Sequence, residues 1–367
     1  MRVLFINAVC GTGSTGKICV DLAQKYENEG NIVKIAYGRT AYVPEKYKKY
    51  AVRIGNDFDV KLHALQTRMF DNHGFASKRA TKNFLKWADE YKPELLWLHN
   101  LHGYYINIEL LFKWIKNHPD MQVKWTLHDC WAFTGHCVHF SAVGCKKWKT
   151  HCYKCAQKKQ YPTSLFYDRS YKNYELKKSL FTGIKNLEII TPSNWLANLV
   201  KQSFLKDYSV KVVYNKIDTN IFKPTTPSNF RKKYGLENKI IILGVANVWN
   251  KRKGLDDFVE LSKILDDNYK IVLVGLNKIQ IKDMRSNILG LERTVNLERL
   301  AEIYSVADIF INLSKEETFG MTTIEALSCG TKVIVYKGTA CEEVVGNKGI
   351  AVEQDINAVR NAIIKLL

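Results

Sequence analysis

The sequence predicts an α/β protein of two Rossmann-like, doubly wound domains facing across a cleft. Three observations predict it. Short apolar strands alternate with helix-patterned stretches through the first half of the chain. The segment "KPTTPSN" at 223–229, rich in proline, threonine and serine, reads as a linker. A second alternating series follows it. Buried strands separated by helices build a parallel sheet covered on both faces, and 367 residues suffice for two domains of ordinary size. The first domain is read as 1–222, with a cysteine-rich insertion at 130–155, and the second as 230–367.

Taken in order, the first strand at 2–8 runs into "CGTGSTG". There Gly11, Gly13 and Gly16 have G-x-G-x-x-G spacing, and a helical face follows at Ile18, Leu22 and Ala23. A glycine turn between strand and helix lets backbone N–H groups approach an anion. Dinucleotide binding also needs a carboxylate about 20 residues on to hold a ribose. The second strand, 32–37, ends instead in Gly38, Arg39 and Thr40. That disfavours NAD, while Arg39 keeps a 2′-phosphate, and so NADP, open. Further strands are expected at 94–99, 122–128, 187–191 and 210–214. Beyond the linker they are expected at 240–246, 269–275, 308–314 and 331–337. In such sheets ligands bind outside the carboxyl ends of the strands.

Composition narrows the class. The chain has 55 Lys and Arg against 36 Asp and Glu, a formal charge of +19. That balance suits an anionic partner, whether nucleic acid, a membrane face or a phosphorylated substrate, or simply a soluble lysine-rich surface. No arginine-rich tail or nucleic-acid module accompanies it. No apolar run reaches the roughly 18 residues of a spanning helix. "VLFINAVC" reads as a buried first strand, not as a signal h-region, so a cytoplasmic chain without a targeting segment is expected. Nine cysteines, an odd count, argue against a secreted disulfide framework.

Two stretches carry chemistry. In "NLSKEETFGMTTIEALSCG" a strand ends near Ser314, a loop holds Glu317, Phe319 and Gly320, and a helix carries Glu325, eight residues after Glu317. A helix starting near Gly320 points its N–H groups at phosphate oxygens. Glu325, one to two turns in, can accept from ribose hydroxyls, and Glu317 can hold sugar hydroxyls. Two solvated glutamates are the plain alternative. In "VWNKRKGL", Arg252 and Lys253 beside Gly254 put two cations at a strand's carboxyl end, suited to a diphosphate leaving group. An ordinary basic loop is the alternative there.

Together these stretches resemble the family-four retaining glycosyltransferases, of GT-B fold. The resemblance extends over nearly the whole chain through the glycine turn, "TPSNWLA", "VVYNKIDTNIF" and "LAEIYSVADIFINLSKEETFGMTTIEALSCG". "LWLHNLHGYYIN" and "TLHDCWAFTGHC" resemble more narrowly the bacterial polysaccharide and lipopolysaccharide members. The resemblance implies a nucleotide-sugar donor and a glycan or polyprenyl-linked acceptor. It places Glu325 on the ribose and Glu317 on the donor sugar, with Arg252, Lys253 and the N–H groups near Phe319 and Gly320 on the diphosphate. His128 matches a histidine facing the donor sugar, and Gly13, Ser14 and Gly16 serve the donor as well, so no ribose carboxylate is needed after the second strand. Two departures stand out. Asn247 occupies the place of a usual Arg, and the chain stops at "VRNAIIKLL", before the usual crossing helices. His99 and His102 are candidates for the acceptor side, or histidines bonded in a tight turn.

No metal-binding DxD motif lies near the donor elements, and no cofactor is expected for catalysis. Other GT-B activities, phosphorolysis or nucleotide-sugar epimerisation, are alternatives, as is a zinc-containing nucleic-acid-binding protein. Cys137, Cys145, Cys152 and Cys155 can close a structural zinc site, with free thiols or a redox disulfide as the other readings. His136, His139 and His151 are substitute ligands. "EKYKKY" at 45–50 and the amphipathic "FDVKLHALQTRMF" at 58–70 suggest peripheral binding to the anionic inner face of the cell membrane, or else a helix packed on its own sheet.

Overall fold

Val3, Leu4, Phe5 and Ile6 are all fully buried, so both faces of the first strand are covered. Continuous burial of that kind belongs to a strand inside a parallel sheet flanked by helices. The computed structural model describes residues 1–226 and 229–367; Pro227 and Ser228, inside the expected linker, lie outside the described residues. The described residues pack into two units. The first comprises Met1–Pro192 and Leu196–Val213, and the second Ser193–Trp195 and Tyr214–Leu367.

The first unit holds β1 (Arg2–Ile6), β2 (Ile32–Tyr37), β3 (Ala51–Arg53), β4 (Leu95–Leu98), β5 (Gln122–Thr126), β6 (Leu187–Thr191) and β7 (Ser209–Val212). They form one sheet in the order β3-β2-β1-β4-β5-β6-β7, with every neighbouring pair parallel. The second holds β8 (Ile240–Val245), β9 (Tyr269–Val274), β10 (Ile288–Leu291), β11 (Ile309–Asn312), β12 (Lys332–Tyr336) and β13 (Ile350–Val352). Its order is β10-β9-β8-β11-β12-β13, again all parallel. Each sheet is doubly wound, because the chain leaves its central strand in one direction and returns on the other side.

Three strands escaped the sequence pattern: β3, β10 and β13. All are edge strands, and most of their residues are half-buried. They are only three or four residues long, so little pattern stands out in them. The domain break also differs from the expected one after residue 222. Phe222 belongs to the second sheet's core, with its ring 6.2 Å from that of Tyr304, so Tyr214–Phe222 fold with the second unit. Burial, not the composition of the linker, sets the boundary.

The cysteine-rich insertion is pinned from within the first unit. Lys177, on the helix Ser170–Phe181, is buried; its Nζ donates to the carbonyls of Trp131 (2.8 Å) and Thr134 (3.0 Å) and lies 3.5 Å from the centroid of the Trp131 ring.

Candidate active site

In the second sheet the winding reverses between β8 and β11, and the loops leaving their carboxyl ends carry the predicted residues. Such a reversal opens a crevice for ligands. From β8 the chain reaches a short 3₁₀ turn, Lys251–Lys253, whose start is capped by Asn250: its Oδ1 accepts from the Lys253 N–H at 3.1 Å. Gly254 then takes a left-handed φ of +76° and opens the helix Leu255–Ile264. A Cβ at that position would land on the carbonyl oxygen of Leu313, so the two loops touch backbone to backbone.

From β11 the chain runs through Leu313–Gly320 into the helix Met321–Ser328. Arg252 ties the loops together: its Nη1 donates to the Glu316 carbonyl at 2.8 Å, and its own carbonyl accepts from the Lys315 N–H at 2.8 Å. Lys253 forms an ion pair with Glu317. Phe319 is buried beneath the loop, and Gly320, at φ +90°, is the N-cap residue. Among the described residues no side-chain hydrogen bond caps that helix start, which carries the positive end of the dipole. Arg252, Lys253, Glu317, Phe319 and Gly320 therefore share one loop pair.

Glu325 sits further along the same helix, half-buried, where Tyr304 of the helix Leu297–Val306 donates its hydroxyl to Oε2 at 2.9 Å. Burial pushes the Glu325 carboxyl up to about 7, against the opposing effect of the Tyr304 hydrogen bond. The alternative of a fully solvated glutamate does not describe this half-buried carboxylate. Tyr304 was missed in the sequence, although it lies inside the quoted "LAEIYSVADIF"; the helical spacing of that segment accounts for it as a core residue and hides its polar tip. Asn247, where the family has Arg, is exposed.

In the first sheet the winding reverses between β1 and β4. Gly11 (φ +69°) and Gly13 (φ +62°) shape the turn after β1, and Gly13 and Ser14 are exposed at the start of the helix Gly13–Asn28. Gly16 is buried, and a Cβ there would press on Val9 at 3.0 Å. Asn7 links the turn to the end of β4: its Nδ2 donates to the Val9 carbonyl at 2.7 Å and its Oδ1 accepts from the Asn100 N–H at 3.2 Å. His128, just beyond β5, has Nε2 3.0 Å from Nδ1 of His99. Burial lowers His128 to about 4, which leaves a neutral imidazole at physiological pH. His102 pairs with Asp129 at 2.6 Å and also meets the Tyr161 hydroxyl at 3.2 Å. Burial would raise Asp129, but the charge and hydrogen bond of His102 bring it down to about 2.

Cys137, Cys145, Cys152 and Cys155 are all free thiols lining one cavity of the first unit, together with His136. Among the described residues no three His, Cys, Asp or Glu side chains already stand at metal-binding spacing. Also among the described residues, no helix is long and apolar enough to cross a membrane.

Residues 238–367 match the family model for "Glycosyl transferases group 1". The second unit carries a group 1 glycosyltransferase domain. Along its whole length the chain is similar to WcaC of Escherichia coli K12, a protein named for colanic acid biosynthesis as a glycosyl transferase. The two are 25% identical over 98% of this chain and 90% of WcaC. The chain is accordingly an enzyme, a glycosyltransferase. Its fold matches sucrose-phosphate synthase of Thermosynechococcus elongatus with a TM-score of 0.71, at 16% identity over 100% of this chain and 89% of that one. It also matches HepE of Anabaena, solved in complex with UDP and glucose, with a TM-score of 0.65 at 17% identity over 100% and 89% of the two chains. Two parallel sheets of seven and six strands are the GT-B architecture.

Proposed function

We propose that this glycosyltransferase moves a sugar, with retention of anomeric configuration, from a nucleotide-sugar donor to a glycan or polyprenyl-linked acceptor in bacterial surface polysaccharide biosynthesis. The observation that carries this reading is the gathering of Arg252, Lys253 and Glu317 beside the uncapped helix start at Gly320, with Glu325 on the same helix. Two cations and a helix N-terminus suit a diphosphate whose charge grows as the glycosidic bond breaks. Incoming diphosphate competes with Glu317 for Lys253, and that carboxylate turns toward the sugar hydroxyls. Glu325 accepts from the ribose hydroxyls. In the first unit, Gly13, Ser14, Gly16 and His128 keep the donor roles that the resemblance gives them, with neutral His128 serving as a hydrogen-bond partner of the sugar. The departing phosphate takes the acceptor's proton, so no protein base is assigned. The protein's own cations stabilise the leaving group, and the mechanism requires no catalytic cofactor.

A peripheral position on the inner face of the cell membrane fits a lipid-held acceptor. The helix Asp57–Phe70 leaves Phe58, Leu62, Leu65 and Met69 exposed, one stripe along a single helical face. Phe70 and Tyr167 extend the stripe, their ring centroids 5.9 Å apart. Exposed apolar residues on a chain of net charge +19 suit anionic lipid.

The deciding experiment is a thermal-shift screen with UDP, GDP, ADP and CMP and their sugars. Transfer from the stabilising donor to glycan and polyprenyl-linked acceptors follows, with the product anomer read by NMR. Stabilisation by one nucleotide class and a product that keeps the donor's configuration support the reading. An inverted product removes the retaining assignment; no nucleotide binding removes the donor site.

A further inference from the structure

The insertion between β5 and β6 brings together four thiols and a histidine that the transfer reaction does not use. Cys137 is hydrogen-bonded through its thiol to Cys155, and Cys152 is a near neighbour of both Cys155 and Cys145. All four line the same cavity. Two of the sulfurs accept backbone N–H groups: Gly135 donates to Cys152 Sγ at 3.3 Å, and Gln157 donates to Cys155 Sγ. Backbone donors aimed at sulfur favour thiolate over thiol, since a thiolate is the better acceptor.

His136 supplies an independent observation. Its ring is buried, and Nδ1 lies 2.6 Å from Asp71 Oδ1. Asp71 is a hydrogen-bond acceptor elsewhere too, taking the Arg169 N–H on Oδ2 at 2.8 Å, so the His136 proton sits on Nδ1. Its Nε2 is buried and, among the described residues, without a hydrogen-bond partner, on a residue that lines the same cavity. A carboxylate holding the far nitrogen of a histidine, with the near nitrogen bare, is the arrangement that orients a metal ligand.

We propose that Zn²⁺ draws the thiolates of Cys137, Cys152 and Cys155, which share one cavity wall but do not stand at metal-binding spacing beforehand, into a structural site. The fourth donor comes from the same wall, either Cys145 Sγ or His136 Nε2. Zinc of this kind is four-coordinate and tetrahedral, and thiolate-rich sites in reducing compartments are structural. Binding releases one proton from each thiol that becomes a ligand. The metal would staple a segment built from turns and short 3₁₀ pieces, which has little regular structure of its own.

The test uses the full chain, expressed without added metal and analysed by elemental analysis. About one zinc per chain is expected. Cys152→Ser should lower the content at least about tenfold, while Cys329→Ser, outside the insertion, leaves it unchanged. Replacement by Co²⁺ in the unaltered chain gives the thiolate-to-cobalt absorption of a tetrahedral centre, and this readout survives even if the Cys152 variant does not fold. Cys145→Ser that keeps full zinc assigns His136 as fourth ligand; Cys145→Ser that loses it assigns Cys145. Well under one metal ion per chain, with all four thiols reacting in the native protein, overturns the proposal. A Cys137–Cys155 disulfide found by mass in metal-free protein overturns it equally.

Discussion

The hydroxyl of Tyr304 donates to Oε2 of Glu325 at 2.9 Å, and this half-buried carboxylate is shifted upward to about 7. Near neutrality the free protein therefore carries Glu325 partly protonated. Ribose hydroxyls donate to a carboxylate, so the ionised form is the one that binds.

Nucleotide affinity should fall as pH drops below about 7, approaching about tenfold per pH unit, with a proton released on binding in that range. Titration calorimetry of the stabilising nucleoside diphosphate between pH 5.5 and 8.5 measures it. Glu325→Gln should flatten the profile that the nucleotide's own phosphate does not account for. Tyr304→Phe removes a hydrogen bond that lowers the carboxyl and should move the midpoint upward. A profile identical in all three proteins would separate Glu325 from the ribose.

The same shift makes a stability prediction of fixed sign. The folded state holds the Glu325 proton to about pH 7, whereas the unfolded chain loses it near 4.5. Between those values the folded state binds more protons, so this residue's contribution to stability falls as pH rises and levels off above about 7. Thermal melts of the parent should lose stability across that window relative to Glu325→Gln.

Glu317→Ala and Glu325→Ala should both impair transfer but in different constants. On the proposed reading, loss of Glu325 removes ribose contacts present in ground and transition states, weakening binding by about 1.5–3 kcal/mol, a tenfold to hundredfold effect. The same proposal puts Glu317 on the sugar as its charge redistributes, so its loss should fall mainly on kcat. Steady-state kinetics with direct binding measurements distinguish them; matching losses in both parameters for both variants would reject the division of roles.

Gly254→Ala tests the loop contact beneath the two cations. Left-handed strain and overlap with the Leu313 carbonyl together should cost about 2–6 kcal/mol. A melting temperature equal to the parent's would show that the loops can separate without cost.

Leu62→Ser with Leu65→Ser should leave transfer to a soluble acceptor unchanged and abolish flotation with anionic vesicles. Both residues are exposed, so the core does not change. Equal flotation of the parent with neutral and anionic vesicles at low salt would reject the lipid surface.

Strand alternation, the glycine turn and the Glu317–Glu325 spacing were legible in the sequence because central parallel strands and loop motifs have local signatures. The helix starts after Gly254 and Gly320 were legible for the same reason: glycine there meets a left-handed backbone. Tertiary structure decided what depends on neighbours distant in the chain. It assigned Phe222 to the second core, paired Lys253 with Glu317, and placed Tyr304 against Glu325 from another helix. It also set the protonation of Glu325 and His128, since a pKa follows from burial and from the charges nearby. The short strands β3, β10 and β13 belong with these, because three or four residues take their conformation from the neighbour they pair with.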